Sequence, residues 1–200
     1  MEHRTVFIID GDELISEEVV ELLSDVGYEA TAYSSAHQFL LEHGAPSGVV
    51  VMDLRLKGMS GLLLQRKLQA NLNVETIFMS GVAQVEDAVS AMKAGAFEFL
   101  VKPFRPQALI DAVGAAFEQL WASQLDRMAA DSAKLAYESL SDAEREIAQL
   151  LASGLRNKQV AHFSSRAEST VKVHRARIMK KMGVQSLAEL VRQLQHVGLG

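Results

Sequence analysis

The chain has no cysteine, which excludes a disulfide framework and thiolate metal sites. That absence fits a reducing compartment. Only three prolines occur, and none lies between Gln107 and Tyr137, so nothing in that stretch interrupts a helix. No apolar run approaches membrane-spanning length, and no membrane partner is expected. Met1-Glu2-His3-Arg4 leads straight into a strand pattern, so no signal peptide is expected and a cytoplasmic location is. No internal repeat or low-complexity tract is present.

What is there suffices for two domains. The chain has 200 residues, 48% of them hydrophobic, which is enough for buried cores. The net charge of −5 is unevenly spread. Residues 1–140 carry 10 Lys/Arg against 20 Asp/Glu, and residues 141–200 carry 10 against 5. An acidic front and a basic tail imply different partners, with a polyanion for the tail.

The front is organised around Val49-Val50-Val51-Met52-Asp53. Four apolar residues, three of them β-branched, read as a strand buried on both faces. Gly58 and Gly61 then turn the chain into a helix from Leu62 to Leu72. Further strands are expected at Thr5–Ile9, Tyr28–Tyr33, Val74–Met79 and Phe97–Val101. Between and after them lie segments with apolar residues at helical spacing, such as Ile15, Val19, Leu22 and Val26. Five strands alternating with five helices predict an α/β fold with a parallel, doubly wound sheet and right-handed crossovers.

Past residue 120 the pattern is helical throughout. Trp121, Leu125, Met128, Ser132 and Leu135 follow a heptad spacing, which suits an amphipathic connector or a short dimerising coil. Ser141 with Glu144, and Ser186 with Glu189, match capping boxes. Asn157 is expected to cap the helix between them, and another helix runs from about Glu168 to Met182. Four short helices resemble a helix-turn-helix module. The expected organisation is therefore 1–120, a helical linker at 121–137, and an all-α domain at 138–200.

The strand ends carry the chemistry. In the expected sheet Asp10, Asp12, Asp53, Ser80 and Lys102 converge beyond the carboxyl edge, where ligands of such sheets bind. A lone aspartate there would usually just cap a turn. Clustered carboxylates, however, raise one another's pKa unless a hard cation sits among them, and Mg2+ prefers such oxygen ligands. A lysine opposite pairs with a transferred phosphoryl group, and a serine hydroxyl hydrogen-bonds it. The set suits phosphoryl transfer to a carboxylate, with Asp53 as nucleophile. Asp10-Gly11-Asp12 also has the Asp-x-Asp form of haloacid-dehalogenase-type phosphatases, with Asp10 as nucleophile.

Asp10, Asp53-Leu54-Arg55, Gly58-Met59-Ser60-Gly61, Ser80-Gly81, Ala91-Met92-Lys93-Ala94-Gly95-Ala96 and Phe99-Leu100-Val101-Lys102-Pro103-Phe104 resemble the receiver domain of two-component response regulators. The resemblance covers residue 4 to about 120 and implies a flavodoxin-like fold. It implies that Asp53 accepts phosphate from a histidine kinase, with Ser80 and Lys102 assisting and Phe99 as a switch that turns inward. It places Mg2+ on Asp10, Asp53 and the Arg55 backbone carbonyl, with Asp12 as a further candidate. It also implies a cis Lys102-Pro103 bond. The chain departs from the pattern at Gly11, where a second metal-binding acid is usual, at Lys57 in place of a proline, and at Val82-Ala83-Gln84. Weakened Mg2+ binding and slow phosphorylation are expected, and a receiver acting without phosphate is the alternative.

In the tail, Lys172, Arg175, Arg177, Lys180 and Lys181 face mostly outward at helical spacing, while Val171, His174, Ile178 and Met182 face inward, with Val173 as a further inward candidate. A basic run is often only a solvated face. This one lies on the third helix of a helix-turn-helix pattern, where the major groove is met. Leu140-Ser141, Glu144-Arg145-Glu146, Asn157-Lys158, Thr170 to Arg175, Lys181-Met182-Gly183-Val184 and Ser186 to Val191 resemble the LuxR-type DNA-binding domain of the FixJ/NarL regulators, over about 138–197. The resemblance puts Lys172 and Val173 near base edges. Asn157, Lys158, Thr170, Arg175 and Lys180 become phosphate contacts, with Arg177 on the same face. Ser164 and Arg166 stand where apolar residues usually pin the helices, and Ala167 where a serine usually caps the reading helix. A less stable domain is expected, with Phe163 filling the gap. Ala176 lacks a polar side chain that often reads a base there, so looser sequence preference is expected.

The expectation is a DNA-binding transcription factor rather than an enzyme, whose aspartyl phosphorylation controls pairing of protomers. The partners expected are duplex DNA, a histidine kinase, a second copy of the chain and RNA polymerase.

Overall fold

A computed structural model describes residues 4–81 and 85–199. Val82-Ala83-Gln84 lies outside the described residues. By contacts the chain divides into two units, residues 1–123 and 124–200.

The first unit contains β1 (Thr5–Ile9), α1 (Glu13–Asp25), β2 (Glu29–Tyr33), α2 (Ala36–Glu42), β3 (Gly48–Asp53), α3 (Gly61–Leu68), β4 (Val74–Ser80), α4 (Val85–Lys93) and β5 (Glu98–Val101). The strands form one parallel sheet in the order β2-β1-β3-β4-β5. This is the flavodoxin-like order, whose switch point lies between β1 and β3. Strand β3 is central, and Val49, Val50, Val51 and Met52 are all fully buried. Successive side chains of a strand point to opposite faces. Val49 and Val51 join Val19, Leu23, Leu109, Val113 and Phe117 on one face of the sheet. Val50 and Met52 join Phe39, Leu64, Phe78 and Ala91 on the other. Each such buried aliphatic side chain stabilises the fold by about 1.5–3 kcal/mol. The third helix ends at Leu68, earlier than the apolar pattern through Leu72 suggested, because Gln69 closes it and Leu72 is exposed.

Helix α5 (Pro106–Glu138) is one continuous segment, so residues 121–137 form its second half. Trp121 packs on Phe117 with ring centroids 5.8 Å apart, under the Arg4 guanidinium at 4.9 Å. Leu125, Met128 and Leu135 remain exposed.

The second unit adds α6 (Asp142–Ala152), α7 (Asn157–Phe163), α8 (Glu168–Lys181) and α9 (Leu187–His196). Ile147, Leu151, Val160, Val171, Ile178, Leu190 and Leu194 meet in one core, with Ala136 and Tyr137 packed against it. The capping box at α6 is complete: Ser141 Oγ accepts from Glu144 N, and Ser141 N donates to Glu144 Oε2. At α7 the cap is Arg156 rather than Asn157, and Gln159 Oε1 accepts from Arg156 N at 2.9 Å. Gln159 stands three residues after Arg156 but only two after Asn157, so the reach-back bond sets the start one residue earlier. No helix among the described residues is long and apolar enough to cross a membrane.

Candidate phosphoacceptor pocket and nucleic-acid interface

Asp10, Asp53 and Lys102 come from the ends of β1, β3 and β5, and the sheet brings them together. Lys102 Nζ lies 2.5 Å from Asp10 Oδ2 and 3.3 Å from Asp53 Oδ2. The three side chains are largely shielded from solvent, with Asp10 the deepest at 4% exposure. Asp53 is the most accessible of the carboxylates that Lys102 holds, and its Oδ1 accepts from Arg55 N at 2.9 Å. Ser80 is buried at the end of β4, where its carbonyl accepts from Lys102 N. The Lys102-Pro103 bond is cis. Phe99 is half-buried and stacks on Phe78 at 6.0 Å.

Gly61 explains how the loop after Asp53 returns so closely. A Cβ there would fall 2.5 Å from the Asp53 carbonyl oxygen and 2.8 Å from the Phe78 ring. Gly61 N instead donates to Leu54 O, and Ser60 caps α3.

Asp12 is turned to another task. Its Oδ1 accepts from Leu14 N at 3.1 Å and Ile15 N at 3.4 Å, so it caps α1, while its own N donates to Asp10 Oδ1. Gly11 is exposed, and a Cβ there would meet nothing within 4 Å. No cluster of three or more His, Cys, Asp or Glu suited to a metal occurs among the described residues. The oxygen donors that remain are two carboxylates and the Arg55 carbonyl. An Mg2+ ion that keeps its waters fits such a set, since it needs only one or two carboxylates. Asp10, Gly11, Asp12, Glu13, Arg55 and Lys57 line an open depression beside it.

In the second unit, Lys158, Thr170, Lys172, Val173, Arg177 and Lys180 are exposed on α7 and α8. Val173 is half-exposed and does not join the core, unlike Val171 and Ile178. Arg175 Nη1 donates to Asn157 Oδ1 at 3.2 Å, which ties the start of α7 to the middle of α8. Lys172 lies 3.3 Å from Glu168 in an exposed pair one turn back. Lys181 belongs elsewhere: its Nζ donates to Glu144 Oε2 at 2.6 Å and to Ser139 O at 3.1 Å. Those contacts, with the Ser141 backbone bond, hold the buried Glu144 carboxyl down at about 2. Phe163 does not fill the turn; it is 63% exposed, and Ser164 Oγ donates to Val160 O instead.

Residues 6–114 match the response regulator receiver domain, and residues 138–194 match the bacterial regulatory proteins of the luxR family. The chain is a two-component response regulator of the FixJ/NarL family. FixJ-type relatives align with it from end to end. The transcriptional regulatory protein FixJ of Rhizobium meliloti is 36% identical over 202 residues, covering 100% of this chain and 99% of its own. Nodulation protein W of Bradyrhizobium diazoefficiens is 39% identical over 197 residues, covering 97% and 86%. The solved structure of the response regulator StyR has a TM-score of 0.79 and 39% identity, covering 96% of this chain and 98% of its own. The family consists of DNA-binding transcriptional regulators whose receivers imply a histidine-kinase partner. The phosphatase reading of Asp10-Gly11-Asp12 is not favoured: Asp10 is the deeper of the two carboxylates paired with Lys102 and is held by Lys102 Nζ and Asp12 N. Action without phosphate is likewise not favoured, since the Asp10, Asp53 and Lys102 set is intact.

What sequence reasoning missed is the partner of Arg166. Its Nη1 donates to Glu146 Oε2 at 2.8 Å and to Ser164 O at 3.1 Å. Helical spacing relates residues within one helix and carries no signal for a pair 20 residues apart.

Proposed function

We propose that a histidine kinase phosphorylates Asp53 and that the aspartyl phosphate drives two copies of the chain together on duplex DNA. The observation that carries this is the shared ammonium of Lys102 between Asp10 and Asp53. An Asp53 oxygen attacks the phosphorus, and the kinase imidazole departs. Lys102 then transfers its pairing from the Asp53 carboxylate to a phosphoryl oxygen. The Ser80 hydroxyl hydrogen-bonds another, and Phe99 turns inward as the switch. When bound, Mg2+ neutralises charge on the transferred oxygens; Asp10, Asp53 and the Arg55 carbonyl would hold it. With Gly11 and a capping Asp12, that affinity is weaker than in receivers with two adjacent acids.

On α8, Lys172 and Val173 face base edges, and Thr170, Arg175, Arg177 and Lys180, with Asn157 and Lys158 of α7, meet phosphates. The chain acts in the cytoplasm as a regulator rather than an enzyme, in contact with RNA polymerase. A small phosphodonor with Mg2+ should label the full chain, shift it toward dimer in sedimentation, and tighten its binding to duplex DNA. Labelling that persists in Asp53→Asn, or DNA binding indifferent to the phosphodonor, would overturn the proposal.

A further inference from the structure

The turn that leads into the reading end of α8 is weakly secured by ordinary means. Its N-cap is Ala167, which makes no side-chain cap hydrogen bond. The turn before it contains Ser165 at φ 54, a left-handed conformation that costs an L-residue other than glycine free energy. Ser164 is buried but spends its hydroxyl on Val160 O. Phe163, the nearest large apolar side chain, faces solvent. Residues 164–167 are Ser-Ser-Arg-Ala and supply no large apolar side chain, so the apolar tie of this end to α6 is left to Val171, buried with Ile147 and Leu151. Yet Thr170, Lys172 and Val173 all lie within the first two turns of α8, so the placement of this end sets where they reach.

We propose that Arg166 is a positioning residue for DNA reading: its guanidinium clamps the turn to α6 through Glu146 and thereby fixes the N-terminal end of α8. One nitrogen, Nη1, contacts both the Glu146 carboxylate at 2.8 Å and the Ser164 carbonyl at 3.1 Å. The guanidinium thus bridges a helix of the core to the backbone just before the left-handed Ser165. The side chain is 27% exposed, more enclosed than the Glu146 carboxylate at 47%, so it is folded back onto the domain. In this position it is engaged by Glu146 and Ser164, and its effect on DNA passes through α8. A weakened clamp lowers the fraction of molecules whose reading end is correctly placed, and apparent affinity falls by that fraction.

The inference rests on DNA binding by the second unit. The probe is a duplex that the unaltered full chain enriches from a random pool. Its affinity would be measured over a salt series for Arg166→Ala, Glu146→Gln, the double variant and Arg166→Lys, with a melting curve for each. Arg166→Ala and Glu146→Gln are each expected to weaken binding by about two- to fivefold. The double variant should be no weaker than the worse single. Arg166→Lys, which keeps a charge within reach of both oxygens, should recover most of the loss. The salt slope should match the parent, because no phosphate contact is removed.

Two results would overturn the positioning role. One is full affinity in Glu146→Gln with a loss in Arg166→Ala and a salt slope reduced by about 1, which makes Arg166 a direct phosphate contact. The other is unchanged affinity in both single variants, whatever their melting curves. Failure of the unaltered chain to enrich any duplex would overturn DNA reading itself, and the positioning role with it. Glu146→Gln is nearly isosteric and half-exposed, so it keeps the comparison open should Arg166→Ala unfold.

Discussion

Lys102 holds two carboxylates that would otherwise repel each other, and this makes Gly11 consequential. The pocket has a fixed cation, while Asp12, the acid next to Gly11, is spent on capping α1. A Cβ at Gly11 has open space, so Gly11→Asp should fold. It is expected to tighten Mg2+ binding by about tenfold, roughly 1.4 kcal/mol, in a calorimetric titration. No gain would mean that Asp12 or solvent already supplies what Gly11 lacks. Glu144 gives a second test at the same scale. Its carboxyl lies at about 2 rather than the ordinary 4.5, chiefly because of the Lys181 hydrogen bond and then the Ser141 N–H. A depressed folded value means that the unfolded chain binds more protons between these limits. The stability this group contributes is complete above pH 4.5 and is lost as pH falls through about 2. Glu144→Gln should flatten acid denaturation of the second unit in that window, followed by circular dichroism.

Elements are governed by their ends. Helix α6 begins with a full capping box, whereas α8 begins at Ala167 with no side-chain cap. Ala167→Ser should therefore stabilise the second unit by about 1 kcal/mol, seen as a higher melting temperature. Restoring leucine and isoleucine at Ser164 and Arg166 is a less simple gain than the sequence suggests. Leucine at 164 would remove a satisfied buried hydroxyl, while isoleucine at 166 would abolish the Glu146 clamp. In α5 the heptad spacing was legible but its use was not. The spacing places Trp121 with Leu125, whereas the fold gives Trp121 to Phe117 and Arg4.

At the scale of the whole molecule, each unit has its own core. Ile77 is fully buried beneath the first sheet face, and Leu151 is fully buried among the four helices. Ile77→Ala and Leu151→Ala should each cost about 2–5 kcal/mol. We expect calorimetry of the full chain to show each substitution lowering a different transition. A single transition lowered equally by both would refute the division near residue 123.

The alternation of strands and helices, the apolar run ending at Asp53, and the N-caps at Ser141 and Ser186 were legible from residue order alone, although only Ser141 with Glu144 closes a full capping box, Glu189 reaching Gln185 N instead. Each depends on periodicity or on groups three or four residues apart, which a linear pattern records. The meeting of Asp10, Asp53 and Lys102 was inferable once a parallel sheet was assumed, because strand ends on one edge must converge. Only tertiary structure decided that Asp12 caps α1, that Lys181 is spent on Glu144, and that Arg166 reaches Glu146. Those outcomes depend on which of several reachable partners lies closest once the chain has folded. Spacing along the chain does not encode that competition.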